Sequence, residues 1–359
     1  MMQFENSAGA LIYKMENNTI KMLFLIRFND KLDIAKGHIE QGENSVIAAK
    51  REIKEETNLD VEFVPSFSAS TRYRFIERYD GPSKKVSKQV NIYLAKTDGK
   101  DVKASEEHKG FCWLNEKDAL ARIKYRELSS ILKRAFAYIP RYEAMLALNK
   151  EYAELPSKNA QWQLSSRLVP GAGALDAKVM LIGQAPGRNE DKLLAPFVGR
   201  SGVILNKMLA AAHLDRRNTY ITSVVQFFPP ENRLPTDEEQ ALCLPLLERQ
   251  IALVKPKYII LLGKFATESL FGKGSDTTPG RMIEKNGIRY YVAVHPARAL
   301  RLKAAYNGMM SQFKRFGKEV STRAKSQGAN SQRQNFSPRH RPLSSAYQRQ
   351  EKQVHSAQP

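Results

Sequence analysis

The chain has 359 residues, of which 42% are hydrophobic, and its 57 Lys and Arg against 37 Asp and Glu give a net charge of +20. No apolar run reaches the roughly 18 residues of a membrane-spanning helix, and two cysteines exclude the disulfide framework of a small secreted protein. The N-terminal MMQFENSAGA lacks the basic and apolar parts of a signal peptide, so we expect a cytoplasmic protein.

The length predicts more than one domain, because single cores rarely grow beyond about 250 to 300 residues. We divide the chain into an N-terminal domain (1–140), a linker interrupted by prolines (141–160), a C-terminal domain (161–318) and a disordered basic tail (319–359). The basic charge predicts a polyanionic partner such as the backbone of DNA. The tail could add to DNA affinity, but a basic tail is as often only solubilising.

The first segment that carries chemistry is GHIEQGENSVIAAKREIKEETNL, residues 37–59, with a helix predicted over Ser45–Thr57. Its Glu52, Glu55 and Glu56 stand at i, i+3 and i+4 and therefore share one face. Three adjacent like charges strain a helix, whereas carboxylate oxygens are the ligands that Mg²⁺ or Mn²⁺ prefers. The pattern predicts a metal site, and a solvated acidic helix face is the alternative.

The same segment resembles the Nudix box, the signature of enzymes that hydrolyse nucleoside diphosphates linked to other groups. Six residues in register carry the resemblance: Gly37, Glu43, Arg51, Glu52, Glu55 and Glu56. It implies an α/β/α sandwich with a mixed sheet, metal binding by all three helix glutamates, and catalytic roles for Glu55 and Glu56. We expect Arg51 to pair with Glu43. Asn58 replaces the family glycine and should end the helix in the left-handed conformation.

The segments on either side of this box indicate which group of Nudix enzymes the domain resembles. SAGALIYK, KGHIE and ASEEHKGFCWL, followed by an amphipathic helix from about Arg126, are similar to the asymmetric diadenosine tetraphosphate hydrolases over roughly residues 5–137. This similarity implies that Glu107 is a base or outer metal ligand, that Lys88 neutralises phosphate charge and that Tyr73 stacks on adenine. The plainer alternatives are a surface acid, an edge-strand lysine and a half-buried tyrosine.

From Ala177 the pattern changes to short apolar runs that alternate with helical stretches: KVMLIG, SGVILNKMLAAA, YITSVV, EEQALCLPLLERQIALV, KYIILLG, FATESLFG and RYYVAV. Strands alternating with crossover helices predict a three-layer α/β/α domain with a parallel sheet. Ligands of such sheets bind beyond the carboxyl ends of the strands. The turns after the strands are therefore where a site is expected.

Four turns, GQAPGRNED, PFVGRSG, PPENRLPT and HPARALR in this order, resemble the uracil-DNA glycosylase superfamily, and within it family 4, over roughly residues 160–316. An unrelated nucleotide-binding α/β domain is the alternative. Family 4 members typically bind a four-iron four-sulfur cluster through four cysteines. This chain has only Cys112 and Cys243, with Phe227 at another ligand position, so we predict no iron-sulfur cluster. Packing by Trp162, Phe227 and Phe228 should take its place.

The catalytic motif also departs from the family. Family 4 has glutamate where this chain has Gln184, and family 1 has aspartate at the position of Ala185. Such a carboxylate stabilises an oxocarbenium ion or positions water. We predict that Gln184 is catalytic because its amide can still orient a water, with Glu190 or Asp191 as alternative substitutes.

The pocket residues are partly retained. Phe197 matches the aromatic residue that stacks on an extruded base, and His295 the histidine that stabilises charge on the departing uracil oxygen. Ser223 stands where the family has an asparagine that reads the pyrimidine edge, so base specificity has relaxed or changed. The alternative for Phe197 is a core aromatic residue, and the alternative for His295 is a loop histidine that hydrogen-bonds to the backbone. Arg298 or Leu300 is expected to press into the minor groove.

These patterns predict a fusion of two enzymes with nucleotide and DNA substrates. One is a metal-dependent Nudix hydrolase of a dinucleoside polyphosphate or related compound, and the other excises uracil or a related base from DNA. The first alternative keeps the Nudix enzyme and makes the second domain a decayed DNA-binding module. The second gives both domains signalling or nucleotide-binding roles without turnover, and the intact REIKEE carboxylates argue against it.

Overall fold

The computed structural model describes residues 2–77, 84–300 and 303–328. These residues form two sheets, the first of which has seven strands. They are β1 (Met2–Glu16), β2 (Thr19–Ile26), β3 (Leu32–Asp33), β4 (Ala35–His38), β5 (Glu62–Glu77), β6 (Lys84–Lys96) and β7 (Gly110–Leu114). The sheet order is β3-β2-β1-β6-β5, with β4 paired to β1 and β7 to β2. Strands β1 and β6 are parallel and the other described pairs antiparallel, so the sheet is mixed, as predicted.

Helix α1 (Ser45–Thr57) packs on β1 and β4 and has the bounds that the sequence predicts. The side-chain oxygen of Asn44 accepts hydrogen bonds from two backbone amides of the first turn. At the other end Asn58 adopts the left-handed conformation with φ of 58°, which confirms the predicted cap. Both ends of the helix that carries the acidic residues are therefore fixed.

The second sheet contains β8 (Ala172–Gly173), β9 (Val179–Gly183), β10 (Thr219–Ser223), β11 (Tyr258–Leu262), β12 (Met282–Lys285) and β13 (Ile288–Ala293). Its order is β12-β13-β11-β9-β10-β8, and the four central strands are parallel, as predicted. The edge strands β8 and β12 run antiparallel to their neighbours, and the sequence analysis did not predict them. The carboxyl ends of the four central strands lie at one edge of the sheet.

The remaining helices are α2 (Glu116–Arg122), α3 (Arg126–Lys158), α4 (Arg188–Leu193), α5 (Arg200–Ala211), α6 (Asp237–Val254), α7 (Lys264–Phe271) and α8 (Lys303–Gly328). Helices α5 and α8 share one core cluster with the second sheet, whereas α3 and α6 contribute to another. Within the described ranges no helix is both long and apolar enough to cross a membrane.

The C-terminal boundary corrects one prediction. Residues 319–328, assigned above to a disordered tail, continue helix α8. Met309, Phe313 and Phe316 are fully buried on this helix, and Val320 packs against the same cluster one turn further on. This helical spacing of apolar residues outweighs the polar composition that suggested disorder. The rest of the predicted tail, 329–359, lies outside the described residues.

Helix α3 spans 33 residues and contributes to the cores of both domains. Leu132 is fully buried in the first half, and Leu148 and Tyr152 are fully buried in the second half, where α3 packs on α6. The segment 141–158 therefore differs from the predicted linker, although Pro140 and Pro156 lie within the helix. Buried residues at intervals of three and four keep it helical.

Polar contacts also cross between the domains along α3. The Arg134 guanidinium binds the Asp176 carboxylate and donates to the backbone oxygen of Ser68, at 2.7 Å in each case. The Tyr138 hydroxyl donates to Pro65 O in the first domain and accepts from Leu175 N in the second. Each of these two side chains thus forms hydrogen bonds with both domains.

Candidate active sites

The first cleft, of ≈ 760 Å³, lies over the acidic face of α1. The structure brings together in its lining all six residues that the sequence predicts for the N-terminal site: Glu52, Glu55, Glu56, Tyr73, Lys88 and Glu107. Tyr73 of β5 and Lys88 of β6 are direct cross-strand partners, so the sheet register places a ring beside a cation. Glu107 is exposed in the turn before β7.

Arg51 fastens the loop after β4 onto helix α1. Its Nε and Nη2 each donate to the Glu43 carboxylate at 3.0 Å, which confirms the predicted pair, and Nη2 also donates to His38 O. The Glu43 carboxylate raises the pKa of Arg51, and the guanidinium lowers the pKa of Glu43. Nη1 donates to Glu52 and Glu55 at 2.8 and 3.0 Å, a contact that the sequence analysis did not predict.

Gly37 leaves room for the Glu52 side chain to lie close to the loop backbone. A Cβ at this position would lie 2.0 Å from both carboxylate oxygens of Glu52, so that side chain would have to move. The glycine thus lets a helix carboxylate lie directly against the loop backbone, and any larger residue would displace it.

Glu56 is partly buried on the acidic face of α1. Its Oε2 accepts a hydrogen bond of 2.9 Å from Lys36 N, but burial raises its pKa to about 7. The nearby carboxylates of Glu52 and Asp33 raise the pKa further, whereas Lys36 lowers it. A cation beside Glu56 would relieve this cost of burying negative charge.

The donor chemistry fits a hard divalent cation. Glu52, Glu55 and Glu56 offer carboxylate oxygens from one helix face, and burial raises the pKa of Glu56. As placed in the described part of the chain, no three acidic, histidine or cysteine side chains converge to hold an ion. Glu52 and Glu55 bind Arg51 instead, and they would exchange that guanidinium for the cation.

Two further cations line the cleft that the sequence analysis missed, Arg27 and Lys36. Both pair with the buried Asp33 carboxylate, which holds their heads at the cleft wall. Lys88 is a third cation of the cleft lining, and its burial lowers its pKa. Neither Arg27 nor Lys36 belongs to a spaced motif of catalytic residues, so the sequence carried no signal for them beyond their place in IRFND and KGHIE.

The second site lies at the carboxyl ends of the parallel strands, around Gly183 at the end of β9. A Cβ on Gly183 would lie 2.7 Å from the Phe197 ring and 3.3 Å from Ser223 Oγ. The rings of Phe197 and His295 are 6.0 Å apart and tilted by 36°. The structure therefore brings together three residues that the sequence predicts to contact a base and that come from three separate segments of the chain.

His295 is a neutral hydrogen-bond donor in this setting. Its Nδ1 accepts a hydrogen bond of 3.2 Å from Ala297 N, so Nδ1 carries no proton and the remaining proton lies on Nε2. Burial lowers its pKa from 6.5 to about 4. The imidazole therefore stays uncharged near neutral pH while its Nε2–H can donate.

The pKa of His295 leads to a test by pH. The unfolded chain protonates this histidine below about pH 6.5, whereas the folded protein does so only near pH 4. Its contribution to stability is therefore complete above 6.5 and is lost as the pH falls towards 4. We expect a His295→Asn variant to lose less stability than the parent between pH 6.5 and 4 in urea titrations. Parallel losses in the two proteins would contradict the lowered pKa.

Gln184 directly follows Gly183, and the backbone around it is fixed. Val224 N donates to Gly183 O at 2.9 Å and Val225 N donates to Gln184 O at 3.1 Å. Among the described residues, no hydrogen bond engages the Gln184 side-chain amide. The amide is thus available to hold a water or a ligand atom.

Glu190 ties together the two turns that carry Gln184 and Phe197. Its Oε2 accepts from Gly187 N at 3.2 Å and its Oε1 accepts from Gly199 N at 2.7 Å. Asp191 is buried and binds the Arg167 guanidinium. Both carboxylates proposed as substitutes for the missing catalytic acid therefore have other partners. This bridging role was not predicted, although the sequence carries a signal for it, a carboxylate three residues after a helix-capping glycine.

The bridge predicts a positioning role for Glu190. Phe197 adopts a positive φ of 52°, which is strained for an aromatic residue, and the bridge restrains its turn. Glutamine has only one acceptor oxygen in its side chain, so it cannot accept from both Gly187 N and Gly199 N. We therefore expect Glu190→Gln to lower kcat/KM for base excision about tenfold. Turnover by the N-terminal site should not change, and exposed Glu231→Gln is the matched control. Equal excision rates for the Glu190→Gln and Glu231→Gln variants would contradict the role.

The region that could hold an iron-sulfur cluster does not fit one. Cys243 is fully buried, and burial raises the pKa of its thiol to about 12, so it remains protonated. The other cysteine of the chain, Cys112, lies on β7 of the first domain. Trp162 and Phe227 pack edge to face with ring centroids 4.8 Å apart, in line with the expected packing, and Phe228 O accepts from Ser165 N. Two thiols cannot supply four thiolate ligands.

The turn after His295 is a short 3-10 helix, Pro296–Arg298. Arg298 is exposed and the Leu300 side chain is 38% exposed, so both predicted wedge residues face solvent. Residues 301 and 302 lie outside the described ranges.

Comparison with known proteins places each of the two domains in a family. A family model for the NUDIX domain matches residues 4–135, and one for the uracil DNA glycosylase superfamily matches residues 170–316. The type-4 uracil-DNA glycosylase of Archaeoglobus fulgidus is 37% identical over 159 residues, which are 42% of this chain and 80% of that protein. The asymmetrical bis(5'-nucleosyl)-tetraphosphatase of Caenorhabditis elegans is 33% identical over 136 residues, 37% of this chain and 95% of that protein.

A type-4 uracil-DNA glycosylase of Sulfurisphaera tokodaii is 43% identical over 113 residues, 31% of this chain and 51% of that protein, so this chain spans about half the length of that relative. The two sheets and their helices form two domains on one chain, each with a cluster of the predicted site residues. The chain belongs to the Nudix family through its first domain and to the uracil DNA glycosylase superfamily through its second.

Proposed function

We propose that the protein is a bifunctional enzyme of nucleotide and DNA maintenance. The first domain hydrolyses dinucleoside polyphosphates with Mg²⁺ or Mn²⁺, and the second excises uracil from DNA. One observation supports the proposal: the side chains that each resemblance implies are distant in sequence but lie together, in the cleft over α1 in the first domain and around Gly183 in the second. We also propose a cytoplasmic location.

In the first site, Arg27, Lys36 and Lys88 supply positive charge for the phosphates, and Tyr73 offers a ring face to a base. Glu52, Glu55 and Glu56 would hold the divalent cation, which supplies further charge neutralisation when bound. Glu107 is exposed at the cleft and is the proposed base that takes a proton from the attacking water.

In the second site, an extruded base stacks on Phe197, and Ser223 Oγ contacts its edge. His295 Nε2–H donates to the base oxygen on which negative charge develops as the glycosidic bond breaks. The Gln184 amide orients the water that adds to the sugar. An amide cannot supply the negative charge of a carboxylate, so the reaction should be slower than in relatives that have one.

Two assays on the full-length protein test the proposal. Uracil excision is measured by alkali-revealed cleavage of single- and double-stranded oligonucleotides with one uracil, in buffer with chelator. Hydrolysis of diadenosine tetraphosphate is followed by chromatography with and without Mg²⁺. We expect cleavage that requires uracil but no metal, and hydrolysis that requires Mg²⁺. DNA binding without cleavage would instead identify the second domain as a decayed binding module.

A further inference from the structure

The chain segment that follows β10 adjoins two side chains of the second site. It comprises residues 224–228, and we name it the β10 turn. Ser223 directly precedes it, and two of its backbone amides donate to Gly183 O and Gln184 O. A shift of the β10 turn would therefore displace both Ser223 and Gln184.

Two other parts of the second domain bind the β10 turn where the family resemblance implies cluster ligands. In the segment before β8, Val169 N donates to Gln226 O and Ser165 N donates to Phe228 O, each at 2.9 Å. On α6, burial raises the pKa of the Cys243 thiol, and a hydrogen bond from the Gln226 backbone opposes that shift. Hydrogen bonds thus connect segments that a cluster would connect through thiolates.

Helix α3 supplies a buried tyrosine to the same place. Tyr152 is fully buried, and its hydroxyl donates to Cys243 O at 3.4 Å. Burial raises the pKa of Tyr152 well above its usual value, and a hydrogen bond from the Gln226 side chain to the hydroxyl acts in the opposite direction. One hydroxyl from α3 therefore contacts both α6 and the β10 turn.

Helix α6 holds Gln226 from a second side. The Gln226 Nε2 donates to Gln250 Oε1 at 3.2 Å, and both side chains are fully buried. The Gln250 Nε2 in turn lies 3.8 Å from Met145 Sδ on α3. We name Met145, Tyr152, Gln226 and Gln250 the buried network. It begins and ends on α3, and hydrogen bonds are stronger in such a low-dielectric interior than in water.

We infer that the buried network takes the place of an iron-sulfur cluster in holding the β10 turn, and that Tyr152 is a positioning residue for base excision. The second part rests on the function proposed for this domain. Met145 and Tyr152 lie outside residues 170–316, which the glycosylase family model matches. The second site therefore depends on a helix that also belongs to the core of the first domain.

The test compares two buried tyrosines of α3 in the full-length protein. Tyr152→Phe removes only the hydroxyl. Tyr142→Phe is the matched control, because no hydrogen bond among the described residues joins the Tyr142 hydroxyl to the β10 turn. Both variants carry Trp113→Phe, which leaves Trp162 as the one tryptophan of the chain, with its ring against Phe227 of the turn.

Two readouts are taken at a temperature where circular dichroism shows every variant fully folded. Quenching of Trp162 fluorescence by acrylamide reports how well the β10 turn is held. Single-turnover cleavage of a uracil-containing oligonucleotide at saturating enzyme reports the chemical step. Loss of stability alone changes neither readout under these conditions.

We expect Tyr152→Phe to increase the quenching of Trp162 and to lower the single-turnover rate about tenfold, whereas Tyr142→Phe should change neither. Equal effects of the two variants, or none from Tyr152→Phe, would overturn the inference. So would the visible absorption of an iron-sulfur cluster in protein purified without oxygen. If the parent excises no uracil, the proposed function fails, and the quenching still decides whether Tyr152 holds the turn.

A further variant tests whether the network acts as a unit. Gln250→Leu removes the acceptor for Gln226 Nε2 and should also lower the excision rate. Because Gln250 and Tyr152 both act through Gln226, the double variant should lose less than the product of the two single losses. Losses that multiply would show that the two side chains act independently, which would contradict a shared network.

Discussion

Replacement of Glu56 by glutamine is expected to lower kcat for diadenosine tetraphosphate hydrolysis by about a thousandfold. Glu56 is partly buried, and burial raises its pKa to about 7, so a cation bound beside it would stabilise its charged form. Glutamine has nearly the same shape and can still accept from Lys36 N, but it carries no charge. A thousandfold corresponds to about 4 kcal/mol of transition-state stabilisation.

A control variant tests whether the effect requires loss of charge at the site or loss of any nearby glutamate charge. Exposed Glu106 neighbours Glu107 but does not line the cleft, so Glu106→Gln should leave turnover unchanged. The Glu56 variant should unfold at no lower urea concentration than the parent, because it removes a buried acid. Its uracil excision should equal that of the parent. A kcat within threefold of the parent would contradict the assignment.

Replacement of His295 by alanine is expected to lower the rate of uracil excision by about 10² to 10³. The side chain supplies a neutral donor whose proton is placed on Nε2 by the bond from Ala297 N. Alanine removes both the donor and the acceptor for that amide. Single-turnover rates on a uracil-containing oligonucleotide measure the loss, since DNA binding and product release do not enter them.

Two further variants test whether the loss comes from the His295 side chain in the pocket. His295→Asn retains an acceptor for Ala297 N and an N–H donor, so it should recover part of the rate. His213→Asn alters an exposed histidine whose positive φ of 55° asparagine tolerates, and it should excise uracil like the parent. If the alanine variant keeps full activity, His295 has no part in the chemistry. If the His213→Asn variant loses as much, the loss is not specific to the pocket.

The elements that sequence predicts well are those with a strong local period. Helix α1 has its acidic residues at i, i+3 and i+4 and an asparagine at each end, and its bounds are confirmed. The central strands of the second sheet are short runs of buried apolar residues, such as Val179–Gly183, and they are parallel as predicted. The spacing of each motif is local, so it can be read without knowing the fold.

Features that depend on tertiary contacts were missed. The cations Arg27 and Lys36 reach the first cleft because both pair with Asp33, a contact that no spacing rule encodes. Glu190 was considered as a catalytic acid, but its hydrogen bonds from Gly187 N and Gly199 N show that it joins two turns. Prolines suggested a break after residue 140, and buried side chains from the second domain keep that segment helical instead.

Helix α3 has a consequence for how the two activities can change over time. Because Leu148 and Tyr152 belong to the same core cluster as Leu132, a substitution that loosens this helix lowers the folded population of both domains together. Substitutions in its buried face should change the stability of both domains in the same direction. The two activities should therefore be lost or kept as a pair whenever stability is the cause, and diverge only through residues of the clefts themselves.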